Sequence, residues 1–427
     1  MSAKLIILLG GRAITCIAFT FAVFPCIAVG AAEMPESAVS LADALMVARQ
    51  SRAEMRVSAA RVEAARQRPA IVSSLEDPII APSIDHKPVD PMMKTDRSIT
   101  FEQSFPLSRI RTHRRHAAEA DIDRYQGEGG KTTLKIETEV AQAFFMLNEK
   151  RKVMDILGRQ ISLASELVKL AATRHGVGGA TQADVLRMEV EEARLRNRLT
   201  LIGADMRAAE AMFNTAMGLE SYRPVPALLV QEVLDGIVSI PDLDASLEVA
   251  LNRRAELRIS KAEIRRARAE VDVMKSMYAP MAMVRVGMAD TGAAGRGYML
   301  MVGVSVPIWF GRLKAGVREA NAMATMAQAD REAMLRMIHG DVAAALESLR
   351  GAGANFHTFR TNLIPRAERA IGPAMTAYAS GTLPLTSVLE ASKALWSVQE
   401  EAVMAETSLG MAWTRHRSAI GFFGESK

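Results

Sequence analysis

Methionine is the side chain best placed for coordination chemistry in this sequence, which holds 26 of them. Met281, Met283, Met299 and Met301 occupy alternate positions in two short runs, on the face opposite Val284, Val286, Val302 and Val304. Thioethers suit soft ions such as Cu(I) and Ag(I), so these four are weak candidate metal ligands, with Met92 and Met93 in a nearby turn-rich stretch. Most other methionines fall in helical patterns and read as packing. His113 and His116, three apart, could share an ion, but Arg109, Arg111, Arg114 and Arg115 around them would repel it. No Gly-x-x-x-x-Gly-Lys and no His-Glu-x-x-His is present. The glycines between 292 and 297 lack the surrounding βαβ pattern of a dinucleotide site. The residues therefore predict no catalytic activity and no resident cofactor.

The first 32 residues have the order of a secretory signal: Lys4 and Arg12, an apolar run from Ile14 to Val29, then small residues up to Ala32. That run is shorter than the ~20 residues of a spanning helix. Both cysteines, Cys16 and Cys26, leave with the signal, so the mature chain has no disulfide and no thiolate site. Val23, Phe24 and Pro25, before Cys26, are bulkier than lipoprotein processing tolerates. The mature chain is only slightly basic, too balanced to predict nucleic-acid binding. Aromatic content is 5%, so packing must rest on Ala, Leu, Val and Met.

These elements are organised by an internal repeat with a period of about 200 residues. The stretch from Arg52 to Arg66 matches Arg254 to Arg268, Ser104-Phe-Pro106 matches Ser305-Val-Pro307, and Asp184-Val-Leu186 matches Ser387-Val-Leu389. The repeat predicts a signal at 1–32, a first unit at 33–220, a linker at 221–240, a second unit at 241–420 and a tail at 421–427. Each unit reads as helix, two strands, long helix, turn and long helix. Residues 38–68 and 243–277 are rich in Ala, Arg and Glu and predict one helix each.

Strand patterning follows: Ile99, Phe101 and Phe105 alternate with polar residues, and 281–288 and 298–306 alternate likewise. A weaker strand, interrupted by Pro82, covers Ile79 to Ile84. The long helices carry a heptad seam, from Ile136, Val140 and Leu147 to Ala164 and Ala171, answered by Met188, Leu195 and Phe213. At 1.5 Å per residue, 131–175 alone spans roughly 65 Å. The glycines at 127, 129 and 130, and those at 351 and 353, are expected to break the helices leading into these hairpins.

Four strands cannot close a barrel, since the smallest have about eight. Open edges are not tolerated in lipid. A chain exporting four amphipathic strands must therefore share its barrel, and three copies give twelve strands. Cations after the second and fourth strands (Arg109 to Arg115, and Arg312, Lys314 and Arg318) fit a membrane edge, with Phe105, Trp309 and Phe310 as interfacial aromatics.

The repeat, the element order, the Ser-x-Pro strand ends and Tyr378-Ala-Ser-Gly381 leading into Val388-Leu389 resemble the TolC family of outer-membrane efflux proteins. The resemblance covers nearly the whole mature chain. It implies a mainly α fold with a small membrane β part: a homotrimer with a twelve-stranded β-barrel in the outer membrane and a periplasmic α-barrel. It also implies a periplasmic adaptor and an inner-membrane pump of the RND type as partners. Val177, Gly178 and Thr181, with Gly381 and Thr382, match the family's hairpin tips where adaptors dock. Glycine also suits any tight helix-to-helix turn.

The family's tunnel constriction falls at Asp184 and Arg187 and at Ser387 and Glu390, of which only Asp184 and Glu390 keep a carboxylate. Threefold rings of these would attract cations. Equally, both are acids early in a helix, which the helix dipole favours. Chain length and Asp77-Pro78 resemble the heavy-metal efflux branch, so copper, silver, zinc or cobalt is the expected cargo. The alternatives are a drug, siderophore or protein duct of the same fold, or a periplasmic coiled-coil adaptor.

Overall fold

The computed structural model describes residues 38–86, 95–237, 240–291 and 294–423. The signal segment with Cys16 and Cys26, the Met92-Met93 loop and the tail beyond 423 lie outside the described residues. The first unit comprises β1 (Ala38–Val39), α1 (Leu41–Ser51), α2 (Ala53–Ser73), β2 (Ile79–His86), β3 (Asp96–Pro106), α3 (Ile110–Gly176) and α4 (Gln182–Met217). Residues 221–240 are not bare linker: β4 (Ala227–Leu228) pairs in parallel with β1, and α5 (Val230–Gly236) follows. The second unit repeats the order with α6 (Leu243–Arg253), α7 (Ala255–Ser276), β5 (Met281–Thr291), β6 (Gly295–Ser305), α8 (Phe310–Thr358), α9 (Ile364–Ala379) and α10 (Leu385–Ile420).

The single helices expected over 38–68 and 243–277 are each two helices, broken at the same repeat position. Arg52 and Arg254 both leave helical geometry, with ψ of 126° and 120°. Each turns its guanidinium onto the C-terminal carbonyls of the unit's last helix. Arg52 Nη1 donates to Ala216 O at 3.1 Å and Arg254 Nη1 to Ala419 O at 2.9 Å. Those helices end on Gly218 and Gly421 in the left-handed region, φ 76° and 78°. A Cβ on either glycine would press within 3.1 Å of the arginine backbone. α2 also outlasts its expected end, running through Pro69 to Ser73.

The expected glycine breaks are absent. α3 runs unbroken for 67 residues, about 100 Å at 1.5 Å per residue. A Cβ on Gly127 would lie 2.6 Å from Ile259 Cγ1, and one on Gly129 2.7 Å from Ser58 Oγ. These glycines let α7 and α2 approach α3 closely. α8 likewise passes Gly351 and Gly353 and gives way to a π turn at Phe359–Leu363. Pro365 explains the shift: it cannot donate into the helical ladder, and its ring crowds the carbonyl four residues back.

The heptad seam is buried as expected: Ile136, Val140, Leu147, Leu157, Ala164 and Ala171 on α3, and Met188, Leu195 and Phe213 on α4. The largest cluster sits beside β1, β4 and α5, where Phe144 meets Phe145 and Phe213, and Trp413 of α10 lies edge-on to Phe145. Smaller clusters continue along the hairpins to one around Leu167, Met188, Tyr378 and Val388 at the tips. Ion pairs join α10 to the first unit at intervals: Lys393 to Glu191 at 3.2 Å, Arg198 to Glu400, and Lys152 to Glu406 at 2.6 Å. Glu406 is buried while Lys152 reaches it from the surface, and Asn148 also donates to Glu406.

Candidate functional site: a two-faced sheet and paired helix tips

Two hairpins, one from each unit, form one antiparallel sheet in the order β2-β3-β5-β6. The register settles its faces, because directly opposed residues share a side. One face carries Ile80 and Ile84 of β2, Ile99, Phe101 and Phe105 of β3, Val284, Val286 and Met288 of β5, and Leu300, Val302 and Val304 of β6. These are large apolar groups, yet Leu300 is 72% exposed and Val302 66%. A water-facing sheet would not present them together.

The opposite face carries Ser83, Ser98, Thr100 and Ser104, with Gly287, Gly303 and Ser305, and Ile79 on the outer strand. At its centre Glu102 and Arg285 stand directly opposed, and Arg285 Nε donates to Glu102 Oε2 at 2.8 Å. Sequence reasoning did not single out this pair, although each is the lone charge in the middle of its strand. Met281, Met283, Met299 and Met301 lie on this same face. Met283 faces Gly303, where its Cε occupies the space a side chain would need. Among the described residues no group of three or more His, Cys, Asp or Glu could hold a metal. No described helix is long and apolar enough to cross a membrane.

At the other end of the molecule the two hairpin tips lie side by side. In the first, Gly178 takes φ 74° and Val177 stands 81% exposed. Thr181 caps α4 in a reciprocal box: Asp184 N donates to Thr181 Oγ1 at 3.2 Å, and Thr181 N to Asp184 Oδ2 at 3.1 Å. The Thr181 hydroxyl also donates to Asp184 Oδ2 at 2.8 Å, and this bond, with that from the Thr181 N–H, holds the Asp184 carboxyl below its usual range, helped by the charges of Arg187 and Arg174. Arg187 is exposed.

In the second tip Gly381 takes φ 85°, and Thr382 N donates to Ala377 O at 2.9 Å. Ser387 is half-buried and Glu390 exposed in the first turns of α10. One side chain absent from the sequence reading joins the tips. Arg174, at the end of α3, donates from Nη1 to Tyr378 O at 2.6 Å and lies 4.7 Å above the Tyr378 ring. Tyr378 is 2% exposed, its hydroxyl has no hydrogen-bond partner among the described residues, and burial raises its pKa. No pairwise sequence signal marks a contact between residues so far apart.

The sequence pattern of the outer membrane efflux protein family matches residues 246–421. Pyoverdine export outer membrane protein OpmQ of Pseudomonas aeruginosa is 26% identical over 281 residues, which are 63% of this chain and 58% of OpmQ. The alignment thus spans less than two thirds of that relative. The solved structure of VceC from Vibrio cholerae superposes with a TM-score of 0.74 at 16% identity, covering 90% of this chain and 96% of that one. CusC gives a TM-score of 0.77 at 13% identity, covering 90% and 92%. At such identities the structural likenesses speak for fold alone. The second unit thus carries the sequence pattern of the outer membrane efflux protein family, and the chain shares the fold of VceC and CusC over nearly all of its length.

Proposed function

We propose that the chain is one subunit of a homotrimeric outer-membrane efflux duct, a passive conduit with no catalysis of its own. The observation that carries this reading is the sheet. Its apolar face is exposed, and among the described residues its outer strands, β2 and β6, have no neighbours on their far sides. In lipid each unpaired backbone group costs several kcal/mol, so the edges must be closed by other copies. Pairing β6 of one copy with β2 of the next yields a twelve-stranded barrel with Glu102 and Arg285 on its lumen face. The helices keep the same lateral order, α2 beside α3, α3 beside α7 and α7 beside α8, so the wall continues into a helical barrel on the periplasmic side.

In this reading the tips at Val177, Gly178, Thr181, Gly381 and Thr382 receive a periplasmic adaptor, and the adaptor couples the duct to an inner-membrane pump of the RND type. The constriction is set by Asp184, Arg187, Ser387 and Glu390. Asp184 is held ionised by its own cap, and the exposed Glu390 is the second carboxylate of the constriction. Recovery of the native protein from the soluble periplasm, with nothing in the outer-membrane fraction, would contradict the duct.

The cargo is a small toxic solute, and two classes each have an observation behind them. Heavy-metal cations are favoured by the four lumen-face thioethers at Met281, Met283, Met299 and Met301. An organic cargo is favoured by the relative named for pyoverdine export. A deletion strain separates them: sensitivity to copper, silver, zinc or cobalt supports metal, and sensitivity to organic compounds alone excludes it.

A further inference from the structure

We propose that the strand–helix junctions form a belt that binds the phosphate headgroups of anionic phospholipid in the periplasmic leaflet. This rests on the outer-membrane reading above and adds a lipid partner to it.

The apolar face of the sheet does not stop where the strands stop. Along β3 the alternation carries Phe105 into Leu107, and along β6 it carries Val304 into Val306 and Ile308, followed by Trp309 and Phe310. All are exposed, Trp309 by 70%. Ile71 and Tyr278, at the junctions leading into β2 and β5, are exposed as well. Leu107 N donates to Pro280 O at 3.3 Å, which ties the junction after β3 to the one before β5. The belt thus holds aromatic and aliphatic side chains where acyl chains meet headgroups.

Cations follow within two helical turns, with no carboxylate in either stretch up to position 118 or 318. Arg111 donates to Ser73 O, and Arg115 pairs with Glu119 at 2.7 Å. Arg109, Arg114, Arg312, Lys314 and Arg318 are exposed and have no side-chain partner among the described residues. Among the described residues Glu76 and Asp77, near Arg114, and Glu319, next to Arg318, form no ion pair with these cations. The far rim of the sheet differs, for there Arg296 faces Asp290 at 3.4 Å. Unneutralised guanidinium groups beside exposed aromatics fit a phosphodiester bearing net negative charge, which arginine can bind with two parallel hydrogen bonds. A zwitterionic headgroup supplies its own cation and gains less.

The test uses the full mature protein, extracted as the assembled oligomer and exchanged into equimolar phosphatidylglycerol and phosphatidylethanolamine. Lipid retained through mild delipidation is counted by native mass spectrometry. Phosphatidylglycerol should be retained over phosphatidylethanolamine by about tenfold. The variant combining Arg109→Gln, Arg114→Gln, Arg312→Gln, Lys314→Gln and Arg318→Gln should lose that preference while still assembling. Should it not assemble, the triple variant Arg312→Gln, Lys314→Gln, Arg318→Gln should show a reduced preference, and Arg296→Gln at the far rim should leave it unchanged. Equal retention of both lipids by the wild type, an unmoved preference in the variants, or full displacement by inorganic phosphate would overturn the belt. Wild-type protein that assembles and enters both bilayers yet shows no preference sinks only the belt. Failure to enter either bilayer sinks the duct as well.

Discussion

Arg52 and Arg254 do the same task in the two halves of the chain: each interrupts its own helix to cap the C-terminus of the helix that closes its unit. Arg254 is the more enclosed, at 7% exposure, with Glu256 at 3.2 Å and Asp341 at 3.5 Å from its guanidinium. Replacing it by Ala strands carbonyls at a helix end and leaves Glu256 without its ion-pair partner. Arg254→Ala should cost ~2–4 kcal/mol in urea unfolding, and Arg52→Ala less because its site is wetter.

Glycine at helix–helix contacts gives a prediction whose sign depends on position. A Cβ on Gly410 would fall 2.4 Å from Phe145 Cδ1, which the aromatic cluster cannot yield. Gly410→Ala should therefore destabilise by about 2–3 kcal/mol, despite alanine's better helix propensity. At Gly158 nothing lies within 4 Å, and Gly158→Ala should stabilise by roughly 0.5–1 kcal/mol. Thermal unfolding of the two variants should shift in opposite directions.

Acid sensitivity should trace in part to His416. It is 3% exposed, 3.1 Å from Ser246 Oγ, and burial, with the charge of Arg417, pushes its pKa from 6.5 to about 4. Between those values the unfolded chain binds a proton that the folded chain refuses, so stability rises with pH across this window. The contribution is complete above pH 6.5 and is lost as pH falls towards 4. His416→Gln should flatten the stability profile over that interval and leave its shape above pH 7 unchanged.

The Glu102–Arg285 pair makes a directional prediction for permeation. Arg285→Gln leaves an unneutralised carboxylate on each subunit's lumen face, and Glu102→Gln leaves an unneutralised guanidinium. In a salt gradient across a planar bilayer the two variants should shift the reversal potential in opposite senses, the first towards cations and the second towards anions. The double variant should return close to the wild type.

Much of this architecture was legible in the residues because two-residue and heptad periods report directly on burial. Ile99, Phe101 and Val302, and likewise Ile136 and Leu147, fall where their spacing puts them. What escaped notice depends on tertiary contact. Nothing local marks Arg52 or Arg254 as a break, since arginine is a good helix former inside an unbroken Ala-Arg-Glu pattern. The glycines at 127 and 129 read as breakers because their local propensity is poor, whereas their use is close approach to Ile259 and Ser58. Arg174 meets Tyr378 only because the two hairpins end side by side. The break expected at Gly351 and Gly353 is absent, and the helix is interrupted instead by the π turn at Phe359–Leu363, which Pro365 rather than the glycines sets.

The account stands most directly on whether strand edges left open in one copy are sealed by others. Native mass spectrometry of the protein in mild detergent, with single-channel recording of the same preparation in planar bilayers, puts that to the test. Three subunits per particle with steady ionic conductance is the predicted result. Single subunits that carry no current under any detergent or lipid would contradict it.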